Sequence, residues 1–416
     1  MTDRRIVITG TGVVSSVGST VASFWDSLLT GKSGLGRVTQ FNVDTLRSQI
    51  AGEISGFSIT DYIDQRDARR LDPFCHYAIG ASFQAMKAAG MDLTTGEVDP
   101  TRVGVLVGSG IGGLSTMQEQ FNRLFKFGPT RISPFLIPMM IGDMASGAVS
   151  MQLGARGPNF GIVSACATGT HSIGEAYWII KRGDADAMIA GGAEASVNEI
   201  GLGGFCAMKA MSEQNAEPTK ASCPFDRRRD GFVISEGAGV VVLETAELAK
   251  KRGVPILAEV VGYGASADAH HITAPCPDGG GAIQAIRMAM NHAKLNAEDV
   301  GYINAHGTST PLNDKFETMA IKSVFGERAY KIPVSSTKSL TGHALGAAGG
   351  LETVVCVNVL NEGVIPGTYN YEEPDPDCDL DYVPNQTREQ NVDVALNMNF
   401  GFGGHNAVLA LKKYID

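Results

Sequence analysis

The sequence predicts an α/β protein built from two similar halves, on three observations. Short β-branched runs end in glycine and lead into helical patterns, these units occur as two series in matching order, and no polar linker separates the series. The first series holds Ile6 to Thr9, Val103 to Val107, Phe160 to Val163 and Ala187 to Ala190, each read as a buried strand. The second opens at Ala258-Glu-Val-Val-Gly-Tyr-Gly264 and continues through Val300 to Asn304, Ile332 to Ser335 and Val394 to Asn397. Residues 299–304 match 102–107, the strand and turn into Cys166 match those into His343, and 237–243 match 405–411. The halves, 1–254 and 255–416, meet at Gly253-Val254-Pro255, a joint too short to hold them apart. One shared core is expected, with a cleft at the common face. Residues 109–160 read as a loop-rich elaboration of the first half.

Composition narrows the class. Charged residues make up 19% of the 416, below the usual ~25%, and 51 glycines exceed the usual ~7%, a profile of tight turns and close backbone approaches. The 34 Lys+Arg against 44 Asp+Glu give a net charge of −10, so no overall cationic field attracts nucleic acid, and an acidic partner must find a local basic patch. No apolar run reaches the ~18 to 20 residues that span a bilayer. Met1-Thr2-Asp3-Arg4-Arg5 leads straight into Ile6-Val7-Ile8 without a signal-peptide core, so a soluble, cytoplasmic protein is expected. Seven cysteines without a CxxC pair argue against a disulfide framework and a zinc site.

Three residues stand out as candidates for chemistry. Cys166, in Phe160-Gly-Ile-Val-Ser-Ala-Cys-Ala-Thr-Gly, lies where a strand breaks into a helix whose Ile173, Tyr177 and Ile180 share one face. A helix N-terminus favours thiolate, so its pKa is expected to fall toward the working range, and the free N–H groups there can hold an oxyanion. A small buried cysteine is the other reading of this residue alone. His306, in Asn304-Ala-His-Gly-Thr308-Ser-Thr310, follows a strand, and His343, in Thr337-Lys338-Ser-Leu-Thr-Gly-His, is placed on the first turn of an Ala/Gly-rich helix. There imidazolium is disfavoured, which leaves a neutral ring with an N–H to donate. His76, His171, His270, His271 and His292 read as structural side chains.

Asn397-Met-Asn-Phe400-Gly-Phe402-Gly-Gly-His405 ends a strand with glycines around Phe402. It is either an ordinary hairpin turn or a segment that brings backbone N–H groups to a ligand. Gly10-Thr-Gly12-Val-Val-Ser15 lacks the third glycine and the later acidic residue of a dinucleotide fingerprint. Arg227, Arg228 and Arg229, between Asp226 and Asp230, read as a neutralised structural network rather than an anion site.

Four motifs in order, Ala-Cys166-Ala-Thr-Gly, Asn-Ala-His306-Gly-Thr-Ser-Thr, Thr-Lys338-Ser-Leu-Thr-Gly-His343 and Asn-Phe-Gly-Phe402-Gly-Gly, make the chain resemble the type II β-ketoacyl-[acyl carrier protein] synthases from Arg5 to about Tyr414. The resemblance implies a thiolase-like fold, two α/β halves forming a five-layer αβαβα sandwich. It makes Cys166 the nucleophile that takes an acyl group, with an oxyanion hole from the N–H groups of Cys166 and Phe402. Malonyl-carrier protein then loses CO2, and the resulting enolate, stabilised by His306 and His343, attacks the thioester to give 3-oxoacyl-carrier protein two carbons longer, as in fatty acid elongation.

The resemblance also casts Lys338 and Glu352 as a buried pair supporting His343, Thr308 and Thr310 as holders of the pantetheine arm, Phe402 as a gate, and Ile111 as acyl-pocket lining. Arg66, Arg69 and Arg70, with Lys126 and Arg131, become the docking patch for acidic acyl carrier protein, the three arginines sharing one helical face. A solvated charged helix is the competing reading of that stretch. No cofactor or metal is implied beyond the carrier's phosphopantetheine, and a homodimer is. Asp143 and Asn399 depart from the family pattern, which often has Asn and Ser, and are read as not touching the Cys-His-His set; His405 receives no role. Two other readings stay open: a polyketide ketosynthase with the same Cys-His-His set, and a non-catalytic chain-length subunit, which would lack the nucleophile. A degradative thiolase would carry a second cysteine near the glycine-rich turn, and none stands between Phe400 and Asn406.

Overall fold

The computed structural model describes residues 4–416, so Met1-Thr2-Asp3, part of the segment read as lacking a leader, lies outside the described residues. The first half contributes β1 (Ile6–Ser15), β2 (Val103–Gly108), β3 (Ala187–Glu194) and β4 (Gly237–Thr245). Every residue of these strands is buried, which is why they read as unbroken apolar and glycine runs instead of alternating ones. The second half contributes β5 (Ala258–Ala267), β6 (Tyr302–Asn304), β7 (Val334–Ser335), β8 (Val394–Gly401) and β9 (His405–Lys412).

The sheet order is β2-β3-β4-β1-β5-β9-β8-β6-β7. In the first half β1 and β4 are antiparallel, β4 and β3 antiparallel, β3 and β2 parallel. In the second, β5 and β9, β9 and β8, and β8 and β6 repeat those directions in that order. The sheets of the two halves are joined by a short antiparallel pairing of β1 with β5 at Ile6, Val7 and Ile8.

Of the helices among the described residues, seven carry most of the layers and the elaboration: α1 (Pro73–Ala88), α2 (Leu114–Phe127), α3 (Met144–Leu153), α4 (Thr168–Arg182), α5 (Gly280–Ala293), α6 (Pro311–Phe325) and α7 (Ala348–Glu362). α1 and α3 cover the outer face of the first half, and α5 and α6 that of the second. α4 and α7 lie between, α4 on β3 and β9, α7 on β4 and β8, which makes five layers. Ile173, Tyr177 and Ile180 of α4 are buried as their spacing requires, each contributing roughly 1.5–3 kcal/mol. α7 is apolar nearly all round because it is covered on every side. Its backbone rests on β4: a Cβ on Gly239 would come within 2.0 Å of Leu351 N. Gly10 serves α1 in the same way, since a Cβ there would meet Ala85 O at 2.0 Å, and this packing accounts for the incomplete fingerprint.

Three readings need correction. Phe160 to Val163 is not a strand; only Asn159 bridges to Val105, and Ser146 Oγ takes the Phe160 carbonyl as the chain turns away toward Cys166. Residues 109–160 are helical rather than loop-rich, holding α2, the short helix Leu136–Met140 and α3. Their apolar residues look loop-like because many face outward, Phe125 being 84% exposed. Finally, the halves align differently at the site. α4 and α7 each follow a turn that opens on a left-handed residue, Ala165 (φ 50°) or Leu345 (φ 47°). Cys166 therefore corresponds to Gly346, and His343 lies earlier, bridged to Ile234. Among the described residues no helix is long and apolar enough to cross a membrane.

Candidate functional site

Cys166 occupies the turn Ala165–Ala167 that leads into α4. The turn is tied by Ser164 N donating to Thr168 Oγ1 at 2.9 Å and by Ser164 Oγ against His171 Nδ1 at 2.7 Å, so His171 is structural but adjacent to the site. Two residues past β6, His306 is fixed through its backbone: His306 N and Gly307 N donate to the Glu317 carboxylate, both at 2.7 Å. His343 is fixed by its N–H to Val233 O at 2.7 Å and by Ser235 N to its own carbonyl at 2.9 Å. The result is convergence from both halves. His343 Nε2 lies 3.0 Å from Cys166 Sγ, the two imidazoles meet edge to face at 5.3 Å, and one donor atom from each of the three residues falls within 4.8 Å of the others.

Burial dominates the electrostatics. It pushes the Cys166 thiol up to about 12, against the opposing pull of Lys338 and of the Phe402 and Cys166 N–H groups. The expected lowering at a helix end is thus reversed: the closed cavity removes more hydration from a thiolate than the turn's N–H groups return. Both imidazoles are held well below the usual histidine range by burial first and Lys338 second, so they are neutral. For His343 the cause differs from the expected helix end, because it precedes the turn that leads into α7. The resting site is a neutral thiol beside two neutral rings. Alkylation of Cys166 by iodoacetamide should therefore climb about tenfold per pH unit from pH 6 to 9 as the thiolate fraction grows. A plateau below pH 8 would contradict this.

Lys338 and Glu352 form an ion pair with almost no exposure. Glu352 Oε2 accepts from Asn399 Nδ2 at 2.6 Å, and the same nitrogen lies 3.4 Å from His306 Nδ1. Asn399 Oδ1 in turn is bonded to Thr170 Oγ1. Two expectations change. The pair's hydrogen-bond chain runs to His306 rather than His343, although the Lys338 charge acts on both rings, and Asn399 touches the set it was read as avoiding, because β8 carries it beside α7. Asp143 is exposed ahead of α3.

A cavity of about 490 Å³ opens onto these groups, lined by Ile111, Cys166, Phe205, Thr308, Leu345 and Phe402 among others. Thr308 and Thr310 lie side by side with hydroxyls 3.0 Å apart, Thr310 also capping α6. Phe402 begins the turn between β8 and β9, closed by Gly403 and Gly404 with φ of 85° and 73°, so the segment is a hairpin turn that also lines the cavity. Sequence reasoning missed three lining or supporting groups. Lys209 is the one Lys or Arg among the lining residues, exposed and left-handed at φ 56°. Glu317 and Glu194 are buried carboxyls pushed up to about 7 by desolvation.

Arg66, Arg69, Arg70, Lys126 and Arg131 are all exposed and none lines the cavity. The arginines do not share a helical face, because the helix Gln65–Ala68 ends ahead of Asp72-Pro73. Arg70 instead stacks on Phe135 at 5.1 Å, next to the segment holding Arg131. Arg228 pairs with Asp226 at 2.8 Å and Arg229 with Asp375 at 2.6 Å, a structural network as read. Thiol and imidazole together could hold a soft divalent ion. Asn304 Oδ1 and Asn397 Oδ1, register partners on β6 and β8 and buried without a protein donor, could face a hard one.

Residues 3–249 match the beta-ketoacyl synthase N-terminal domain and residues 257–372 the C-terminal domain. The 3-oxoacyl-[acyl-carrier-protein] synthase 2 of Synechocystis is 49% identical over 411 residues, 99% of this chain and 98% of that protein. That of Staphylococcus aureus strain COL is 48% identical over 412 residues, 99% of each. Among solved structures, a beta-ketoacyl synthase from Burkholderia phymatum superposes with TM-score 0.91 at 33% identity, covering 99% of this chain and 100% of that one. A ketosynthase bound to the hexaketide, in complex with its type II polyketide acyl carrier protein, gives 0.92 at 35%, with coverage of 99% and 100%.

Proposed function

Because the chain belongs to the β-ketoacyl synthase family, we propose that it is a 3-oxoacyl-[acyl carrier protein] synthase that lengthens acyl chains by decarboxylative condensation in fatty acid synthesis. The observation that carries the reading is Cys166 Sγ at 3.0 Å from His343 Nε2, with His306 beside both. The thiol attacks an acyl thioester of the carrier protein, and its proton leaves with the carrier thiolate. The tetrahedral oxyanion is held by the N–H groups of Cys166 and Phe402. Malonyl-carrier protein then loses CO2, and N–H donors of the neutral imidazoles stabilise the enolate oxygen. The enolate carbon attacks the Cys166 thioester, and the released thiolate is reprotonated. Burial suits this sequence, because water would hydrolyse the acyl-enzyme and quench the enolate. The steps need no metal or cofactor beyond the carrier's own pantetheine, whose arm Thr308 and Thr310 would hold, with Phe402 as gate.

Fatty acid synthesis is favoured over polyketide assembly by the names and near-full coverage of the relatives at 48% and 49% identity. The non-catalytic reading is opposed by the presence of the nucleophile. Incubation with malonyl- and acyl-carrier proteins of graded length should yield 3-oxoacyl products two carbons longer, identified by mass; absence of any such product would refute the assignment.

Acyl carrier protein is the proposed partner, docking at Arg66, Arg69, Arg70, Lys126 and Arg131, with Lys209 at the cavity mouth for the pantetheine phosphate. Charge reversal at Arg69 (Arg69→Glu) should raise KM for the carrier-bound substrate about tenfold and flatten its salt dependence, while kcat stays near wild type. An unchanged KM would remove Arg69 from the docking surface. A homodimer is supported by the outward apolar side chains Phe121, Phe125, Phe127 and Ile137. A cytoplasmic setting is supported by seven free cysteines.

A further inference from the structure

Glu194, the last residue of β3, is a fully buried carboxylate with no ion-pair partner among the described residues. Such a group is costly unless hydrogen bonds replace its hydration. Oε1 accepts from Ser109 Oγ at 2.9 Å and from Ile111 N and Ser196 Oγ at 3.3 Å. Oε2 accepts from Gly110 N at 2.9 Å and from Gly346 N at 3.1 Å. Apart from Ser196, two residues further along, these donors come from two distant places in the chain that only the fold brings together. One is the loop after β2, which carries Ile111 into the cavity; the other is the turn after His343, which carries Leu345 into it.

The glycines at the crossing leave room for nothing else. A Cβ on Gly110 would lie 2.7 Å from Glu194 Oε2 and 3.3 Å from Ala165 O, and one on Gly346 would lie 2.4 Å from Gly110 N. Gly346 is the counterpart of Cys166 in the internal repeat, so where one half places its nucleophile the other places a bare amide that closes on Glu194. Ser109 Oγ passes the tie onward by accepting from Gly112 N at 3.0 Å. The carboxylate also sits close enough to the sulfur to oppose its ionisation.

We propose that Glu194 is a positioning residue for acyl transfer: it clamps the Ile111 loop of the first half to the Leu345–Gly346 turn of the second, and so sets the chain-binding wall relative to Cys166 and His343. The inference rests on the condensing function proposed above. It assigns to one carboxylate the fit between acyl chain and nucleophile, and leaves the malonyl step to the histidines. Glutamine at this position would keep the shape but turn an amide donor toward the backbone N–H groups.

The test compares full-length wild type, Glu194→Gln and Glu194→Asp in two half-reactions, with melting temperature recorded for each. Cys166 acylation is followed with acyl-carrier proteins from six to sixteen carbons, and CO2 release with malonyl-carrier protein alone. For Glu194→Gln, acylation by long chains should fall about tenfold or more and the length preference should change, since displacement of a reacting group by about 1 Å can cost as much as 10²-fold. CO2 release should change less than about threefold. Glu194→Asp, which keeps the charge with a shorter reach, should fall between. A uniform loss in both half-reactions that follows the melting temperature, with length preference unchanged, would make Glu194 merely structural and overturn the proposal. If Glu194→Gln does not fold, Ser109→Ala removes one donor and leaves the carboxylate. A shifted length preference there supports the clamp, and an unshifted one overturns it. Wild type that takes no acyl group onto Cys166 would defeat the condensing reading itself, on a readout separate from length preference.

Discussion

Cys166→Ala should abolish 3-oxoacyl product, lowering turnover by on the order of 10⁴-fold or more, because no other thiol can carry the acyl group. Among the cysteines only Cys166 lines the cavity, so none can substitute for it. The change removes one sulfur from a turn whose shape depends on Ala165, Ser164 and Thr168, so folding should survive. His306 and His343 remain, and CO2 release from malonyl-carrier protein should persist within about tenfold of wild type. Loss of condensation with retained decarboxylation separates the nucleophile from the enolate-stabilising pair. Product formation within tenfold of wild type would mean that Cys166 is not the acyl carrier.

Lys338→Ala should be the most destabilising of the single changes considered. Breaking a buried ion pair by removing one partner typically costs about 3–5 kcal/mol, because the other charge is left without compensation. Here the stranded group is Glu352, a buried residue of α7 hydrogen-bonded through Asn399 toward His306. Catalysis should report the loss separately from stability. Lys338 holds both imidazoles down, so its removal raises their pKa values, and the acid limb of the pH–rate profile should move to higher pH. Glu352→Gln should lower stability less, since Lys338 then keeps a neutral oxygen acceptor. Chemical denaturation and the pH dependence of kcat/KM measure the two effects; an unmoved acid limb in a folded Lys338→Ala chain would show that Lys338 does not govern the histidines.

The architecture is legible in the sequence because buried strands leave a direct trace. β1 to β4 are covered on both faces and spell continuous apolar and glycine runs, and the repeat of β2 and β4 as β6 and β9 survives in residue order. Phe160 to Val163 carries the same residue types, yet the Phe160 carbonyl is taken by the Ser146 hydroxyl instead of a neighbouring strand, which no local pattern reports. The thiol shows the same limit. Its helix end is a local feature, but the burial that outweighs it comes from elements over the whole chain. Asn399 and Glu194 were hidden for a related reason: their partners Thr170 and Gly346 stand 229 and 152 residues away. Cys166, His306 and His343 could be singled out because each stands in or beside a glycine- and hydroxyl-rich turn, and such turns project side chains into a shared cleft.

The central claim is that Cys166 holds the growing chain as a thioester. Mixing the enzyme with an acyl-carrier protein in the absence of malonyl donor, digesting it and weighing the peptides tests this directly. An acyl mass increment confined to the peptide bearing Cys166 is expected, lost on treatment with hydroxylamine and discharged when malonyl-carrier protein is added. An acyl group on any other residue, or a Cys166 peptide that stays unmodified while product forms, would contradict it.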